Sequence, residues 1–167
     1  MKRLLLLISL FLGITLALAG QAQATWYWTH GHSGKIQDRS KVIPWANNSI
    51  EYGWGLDFRL NPFNNTWVHF AVPSEGSGAK GVRYIRLKFT TQSNVATVTA
   101  IDVYDGNVMF KHLAGNWFGS QDIQLDLGQK WKISRALGIS VRVGVGDTGS
   151  AQWFRFIFVG ADFVPFP

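Results

Sequence analysis

Apolar and polar residues alternate with a period of two along most of this chain. Ile85, Leu87 and Phe89 alternate with Tyr84, Arg86 and Lys88. Ile123, Leu125 and Leu127 alternate with Asp122, Gln124 and Asp126. Ile139, Val141, Val143 and Val145 alternate with Ser140, Arg142 and Gly144, and Phe154, Phe156 and Phe158 with Trp153, Arg155 and Ile157. Successive side chains of an extended strand point to opposite faces, so each run describes a strand with one face toward a core. Windows with apolar residues at helical spacing are nearly absent.

Turn chemistry separates the runs. Asp105-Gly106-Asn107 tolerates positive φ and predicts a tight hairpin. Pro73 to Gly81 predicts a flexible loop, and Asn61–Asn65 and Gly146–Ser150 predict shorter connections. The resulting strands fall near 25–30, 49–52, 55–60, 66–72, 82–91, 95–104, 107–113, 121–127, 139–145 and 152–163, with room for a short helical turn only at 129–137. About nine or ten short strands at regular spacing predict an all-β protein, a single antiparallel β-sandwich of jelly-roll-like or immunoglobulin-like type.

Five segments in order, YGWGLDFR (52–59), WVHFAVP (67–73), VYDG (103–106), LGISVRV (137–143) and FVGADF (158–163), resemble a family of small bacterial secreted β-sandwich proteins of unknown function. The resemblance implies the sandwich fold and brings no assigned activity and no catalytic residues. Segment 25–50 lies outside it.

The N-terminus changes the picture of compartment. Lys2 and Arg3 precede an apolar stretch from Leu4 to Leu18, followed by Ala22-Gln23-Ala24. That is the pattern of a signal peptide, residues 1–24, with cleavage expected near Ala24. The apolar run is short of the roughly 20 residues of a membrane span, so a secreted or periplasmic domain of residues 25–167 without a transmembrane anchor is expected. Cleavage takes the formal charge from +6 to +4. No block of like charges suggests nucleic acid, and a mild positive balance suits anionic partners such as cell-surface glycans or phospholipid heads and equally suits simple solubility. The chain has no cysteine, which removes disulfides, thiol nucleophiles and thiolate metal sites. No cofactor is expected.

Aromatic residues carry the strongest chemical signal: eight Trp, four Tyr and twelve Phe. Trp26 and Trp28 share one strand face. Trp45, Trp54, Trp117 and Trp131 lie in or beside stretches rich in Gly, Asn and Pro. Flat indoles stack on the C–H faces of sugars, while Asn and Asp hold hydroxyls. Trp26, Trp28, Trp45, Asn47, Asn116, Trp117 and Asp122 are therefore the candidate ligand-binding residues, set against the alternative that the rings plug the sandwich ends. His30 and His32 form a pair two residues apart, short of the roughly four ligands of a closed metal site. Asp102 with Asp105, and Asp122 with Asp126, are the carboxylate pairs a glycosidase would require, but no Gly-x-Ser-x-Gly elbow or HExxH motif accompanies them. The leading expectation is an exported non-catalytic binding module for a carbohydrate or envelope glycan. The alternatives are an envelope interaction subunit that lends the strand Thr-Trp-Tyr-Trp to a partner's sheet, and a glycan-active enzyme.

Overall fold

The computed structural model describes residues 24–44, 49–74 and 78–166. Twelve strands follow one another: β1 (Thr25–His30), β2 (Lys35–Ile36), β3 (Val42–Pro44), β4 (Glu51–Tyr52), β5 (Gly55–Leu60), β6 (Asn65–Val72), β7 (Lys80–Thr91), β8 (Ala96–Asp105), β9 (Val108–Trp117), β10 (Ser120–Lys132), β11 (Leu137–Val145) and β12 (Gln152–Pro165). Single 3-10 turns occupy Gly31–Ser33 and Arg39–Lys41.

The strands build an antiparallel β-sandwich. The first sheet runs β10-β7-β12-β5-β3, with β1 also on β12 and β4 on β5; the second runs β2-β6-β11-β8-β9. The excess over nine or ten strands comes from β2 and β3, too short to display an alternation. The helical turn expected at 129–137 is replaced by the end of β10, where the pairing with β7 shifts register between Asp126 and Trp131. Gly128, at φ +86°, supplies the left-handed residue that this bulge requires. No helix among the described residues is long and apolar enough to cross a membrane.

The inward residues predicted by alternation form the core, except Phe158, which the bulge between Phe156 and Phe158 turns to the outer face. Phe58, Phe89, Phe154, Phe156 and Phe163 on the first sheet meet Phe70, Ile101, Ile139 and Val141 on the second, all buried. Phe156 lies against Phe89 within its sheet and against Phe70 across the sandwich, at 5.8 and 5.6 Å between ring centroids. Each buried ring contributes about 1.5–3 kcal/mol of transfer free energy.

One feature of the topology positions the outer surface of the first sheet. One edge of β12 is covered by β7, and the other is divided between two strands. Gln152–Phe156 pair with β5, and Phe158–Phe163 with β1. Thr-Trp-Tyr-Trp is thus committed to its own sheet. The two partners meet at the Phe156 carbonyl, against which Gly31 and Gly55 both sit: a Cβ added at either would lie 1.8 or 2.2 Å from that oxygen. Only glycine admits such an approach. It lets the Gly31–Ser33 turn and the β4–β5 hairpin share one surface.

Candidate functional site

Aromatic residues line the outward face of the first sheet along the divided edge of β12. Trp26 and Trp28 point outward from β1 and stack at 5.0 Å with 12° between planes. Trp28 leans across β12, over Gly160, where a Cβ would meet its ring at 2.2 Å, and it takes Phe158 edge-on at 4.9 Å. One of its faces is covered by Trp26, and it remains 41% exposed. Past the junction, the turn between β4 and β5 presents a second stack, Tyr52 on Trp54, at 4.7 Å and 8°.

Trp54 differs from Trp28 in what remains open. It is 54% exposed, one face covered by Tyr52 and the rest turned to solvent. Its indole N–H donates to Asp57 Oδ2 at 3.0 Å. Asp57 is 3% exposed and is gripped by Arg155 from the neighbouring strand: Nε donates to Oδ1 at 2.8 Å and Nη2 to Oδ2 at 2.7 Å. Hydrogen bonding to Asp57 holds the Arg155 guanidinium pKa above its ordinary value, so it stays charged. Arg155 also lies 5.8 Å from the Trp153 ring centroid. A large apolar surface is thus fixed in one orientation by a buried carboxylate, with Arg155 Nη1 remaining as a donor beside it. Next to it, His32, Glu51, Tyr52 and Gly53 line a hollow of about 200 Å³.

The sequence candidates distribute unevenly over this surface. Trp26 and Trp28 belong to it. Trp45 and Asn47 lie outside the described residues. Trp117 does not sit in a loop: it ends β9 on the second sheet, opposite Val98, and packs against the core. Asn116 is exposed on the same strand, and Asp122 is on β10. The stretch 114–120, a connection between the expected strands 107–113 and 121–127, is two strand ends with the turn confined to Phe118-Gly119. Glycine and asparagine are tolerated there because β9 and β10 are sheet edges. Asp122 is held in an ion pair by Arg86, Nε to Oδ1 at 2.7 Å. His30 and His32 are exposed, their Nδ1 atoms 2.6 Å apart, so one imidazole donates to the other. Among the described residues no third His, Cys, Asp or Glu joins them in a metal-binding group.

The carboxylates suggested for acid–base chemistry are all engaged structurally. Arg83 hydrogen-bonds Asp126 and holds its carboxyl below the usual range. Asp105 accepts the backbone N–H groups of Ser134 and Arg135. Asp102 accepts from His112 Nδ1 at 2.5 Å.

Sequence reasoning missed a polar row across the outer face of the second sheet. Register places Ser140 opposite His69 on one side and Asp102 on the other, and His112 opposite Asp102. His69 Nδ1 and Ser140 Oγ are 2.8 Å apart. Burial pushes the His69 pKa below its ordinary 6.5. The folded protein therefore binds fewer protons than the unfolded chain once the pH drops below that value, and stability falls there. The expected result is a flatter loss of urea stability between pH 7 and pH 5 in His69→Gln than in the wild type. Parallel slopes would remove His69 as a source of that acid sensitivity.

No family model matches the chain, and no curated protein matches it in sequence. Solved structures match the chain at low similarity. The CBM36-1 domain of a multidomain xylanase from the hindgut metagenome of Trinervitermes trinervoides is 9% identical, with 82% of this chain and 96% of that chain covered and a TM-score of 0.46. The C-terminal CBM6 of LamC, a marine laminarinase from Zobellia galactanivorans, is 13% identical over 82% of this chain and 99% of that one, TM-score 0.41. TmCBM61 in complex with β-1,4-galactotriose is 12% identical over 81% and 86%, TM-score 0.41.

Proposed function

We propose that this protein is an exported, non-catalytic glycan-binding module that uses the outer face of its first sheet. The observation that carries this reading is Trp54: an indole more than half exposed, backed by Tyr52 and fixed through its N–H to an Asp57 that Arg155 locks in place. Aromatic rings bind with little conformational cost because few torsions must be frozen, and Trp54 has already lost its freedom in the unbound protein. The C–H face of a pyranose stacks on the open side of the ring, and Arg155 Nη1 and Glu51 receive its hydroxyls. The Trp26–Trp28 stack extends the same surface along β1, so the ligand is a chain of several sugars. A non-catalytic role fits the carboxylates, each of which is tied to an arginine, a histidine or backbone N–H groups. Export rests on the N-terminal pattern of Lys2, Arg3 and the apolar run before Ala24.

Native affinity electrophoresis against laminarin, xylan, galactan and peptidoglycan fragments tests the reading. At least one of these polymers is expected to retard the wild-type protein and quench its tryptophan fluorescence. Trp54→Ala should weaken that binding at least tenfold, about 1.4 kcal/mol, while leaving the melting temperature within a few degrees, since the side chain is exposed. A wild-type protein retarded by none of the four, or a variant retarded equally, defeats the proposal.

A further inference from the structure

The outer face of the second sheet holds a second groove, and its chemistry differs from that of the Trp54 surface. Its floor is β11, the central strand, which turns Gly138, Ser140, Arg142 and Gly144 outward. The two glycines leave the floor open: an added Cβ at Gly144 would find nothing nearer than 3.8 Å, and one at Gly138 only the Tyr104 Cβ at 3.6 Å. Two hollows result, about 330 Å³ beside Ser140 and about 310 Å³ beside Gly144 and Arg142. The two hollows share no lining residue; Gly138 in one and Gly144 in the other lie roughly 20 Å apart along β11, at about 3.3 Å per residue.

Hydrogen-bonding groups in and beside these hollows are already oriented. His69 is turned by Ser140 so that Nε2 remains for a ligand. Asp102 is held by His112, whose Nδ1 donates to Oδ1. Arg142 stands two residues along the strand from Ser140, exposed, and its guanidinium meets no partner among the described residues. Trp67 lies opposite Arg142 on β6 and gives that position a flat wall.

The geometry points to a glycan bearing carboxylates, a uronic-acid oligosaccharide, with one carboxylate on Arg142 and its hydroxyls on His69, Ser140 and Asp102. A guanidinium fork matches a carboxylate with two parallel hydrogen bonds. One unpaired cation among groups that bind hydroxyls suits a ligand with a single charge per sugar. A phosphate chain needs several cations in a row, and Asp102, one row away, repels a dense line of negative charge. This site stands apart from the Trp54 surface, because its residues occupy the opposite sheet.

The test is calorimetric titration at 50 mM salt with tetragalacturonate, tetramannuronate and the neutral galactotetraose. At least one uronate should bind the wild type, at least tenfold more tightly than galactotetraose. Arg142→Gln should lower that affinity to the level of the neutral sugar, and raising the salt to 300 mM should weaken the wild type alone. Trp54→Ala should leave uronate binding unchanged, whatever it does to neutral polymers. Arg142 is exposed, so the variant is expected to fold, which its circular dichroism spectrum checks. The proposal is overturned if neither uronate binds, if Arg142→Gln binds as tightly as the wild type, or if Trp54→Ala abolishes uronate binding.

Discussion

Replacing Gly31 by alanine should destabilise the protein by about 3 kcal/mol, the upper part of what an overpacked site costs. The added Cβ would lie 1.8 Å from the Phe156 carbonyl oxygen and 2.5 Å from its carbon. Both are backbone atoms of β12, the strand that every other part of the first sheet depends on, so no side chain can rotate away. Relief requires either that β1 lift off the edge of β12 or that the bulge between Phe156 and Phe158 change register. The first exposes Tyr27, which packs edge-on against Phe163 at 5.2 Å; the second drags Phe156 out of its place between Phe70 and Phe89. At about 3 °C per kcal/mol for a domain of this size, the melting temperature should fall by about 10 °C. Gly53→Ala is the matched control: its Cβ would meet nothing within 4 Å, so a change within about 0.5 kcal/mol is expected. Equal melting of the two variants would show that the β1–β5 junction is not a tight fit.

The same junction explains what could be read from the sequence and what could not. Alternation located the buried faces of 82–91, 139–145 and 152–156, because a half-buried strand writes its core contacts locally, every second residue; it failed at Phe158, which the bulge after Phe156 turns outward. The Asp105-Gly106-Asn107 hairpin was legible for the same reason: Gly106 has φ +63° and the turn is chemically local. The Trp54 site was not. Tyr52-Gly53-Trp54-Gly55 reads as a glycine-rich turn, and nothing in it says that the indole is held by a carboxylate three residues on. That carboxylate is in turn locked by Arg155, 98 residues away. The polar row of the second sheet is equally non-local, since His69, Ser140, Asp102 and His112 meet only through three strand registers. Trp117 was drawn to a loop by its Asn and Gly neighbours, yet an edge strand tolerates the same composition. Its ring folds back over Gly115.

Under the proposed function, Asp57 ties stability to recognition, and removing it should damage both. Asp57→Ala leaves Arg155 without its carboxylate in a position where the Arg155 side chain is 38% exposed. Breaking a fully buried pair costs about 3–5 kcal/mol, and partial solvation of the arginine brings the expected loss to about 2–3 kcal/mol, read from urea melts. Trp54 simultaneously loses the acceptor of its N–H, so binding to whichever glycan retards the wild type should weaken at least tenfold even at temperatures where the variant is fully folded. The double replacement Asp57→Leu with Arg155→Leu separates the two effects. An apolar pair of similar reach carries no stranded charge and is expected to regain most of the lost stability, as replacement of buried ion pairs commonly does. It restores neither the anchor of the indole nor the Arg155 donor, so binding should stay weak. A double variant that recovers stability and binding together would mean that Trp54 needs only a packed neighbour, and that the carboxylate plays no part in orienting it.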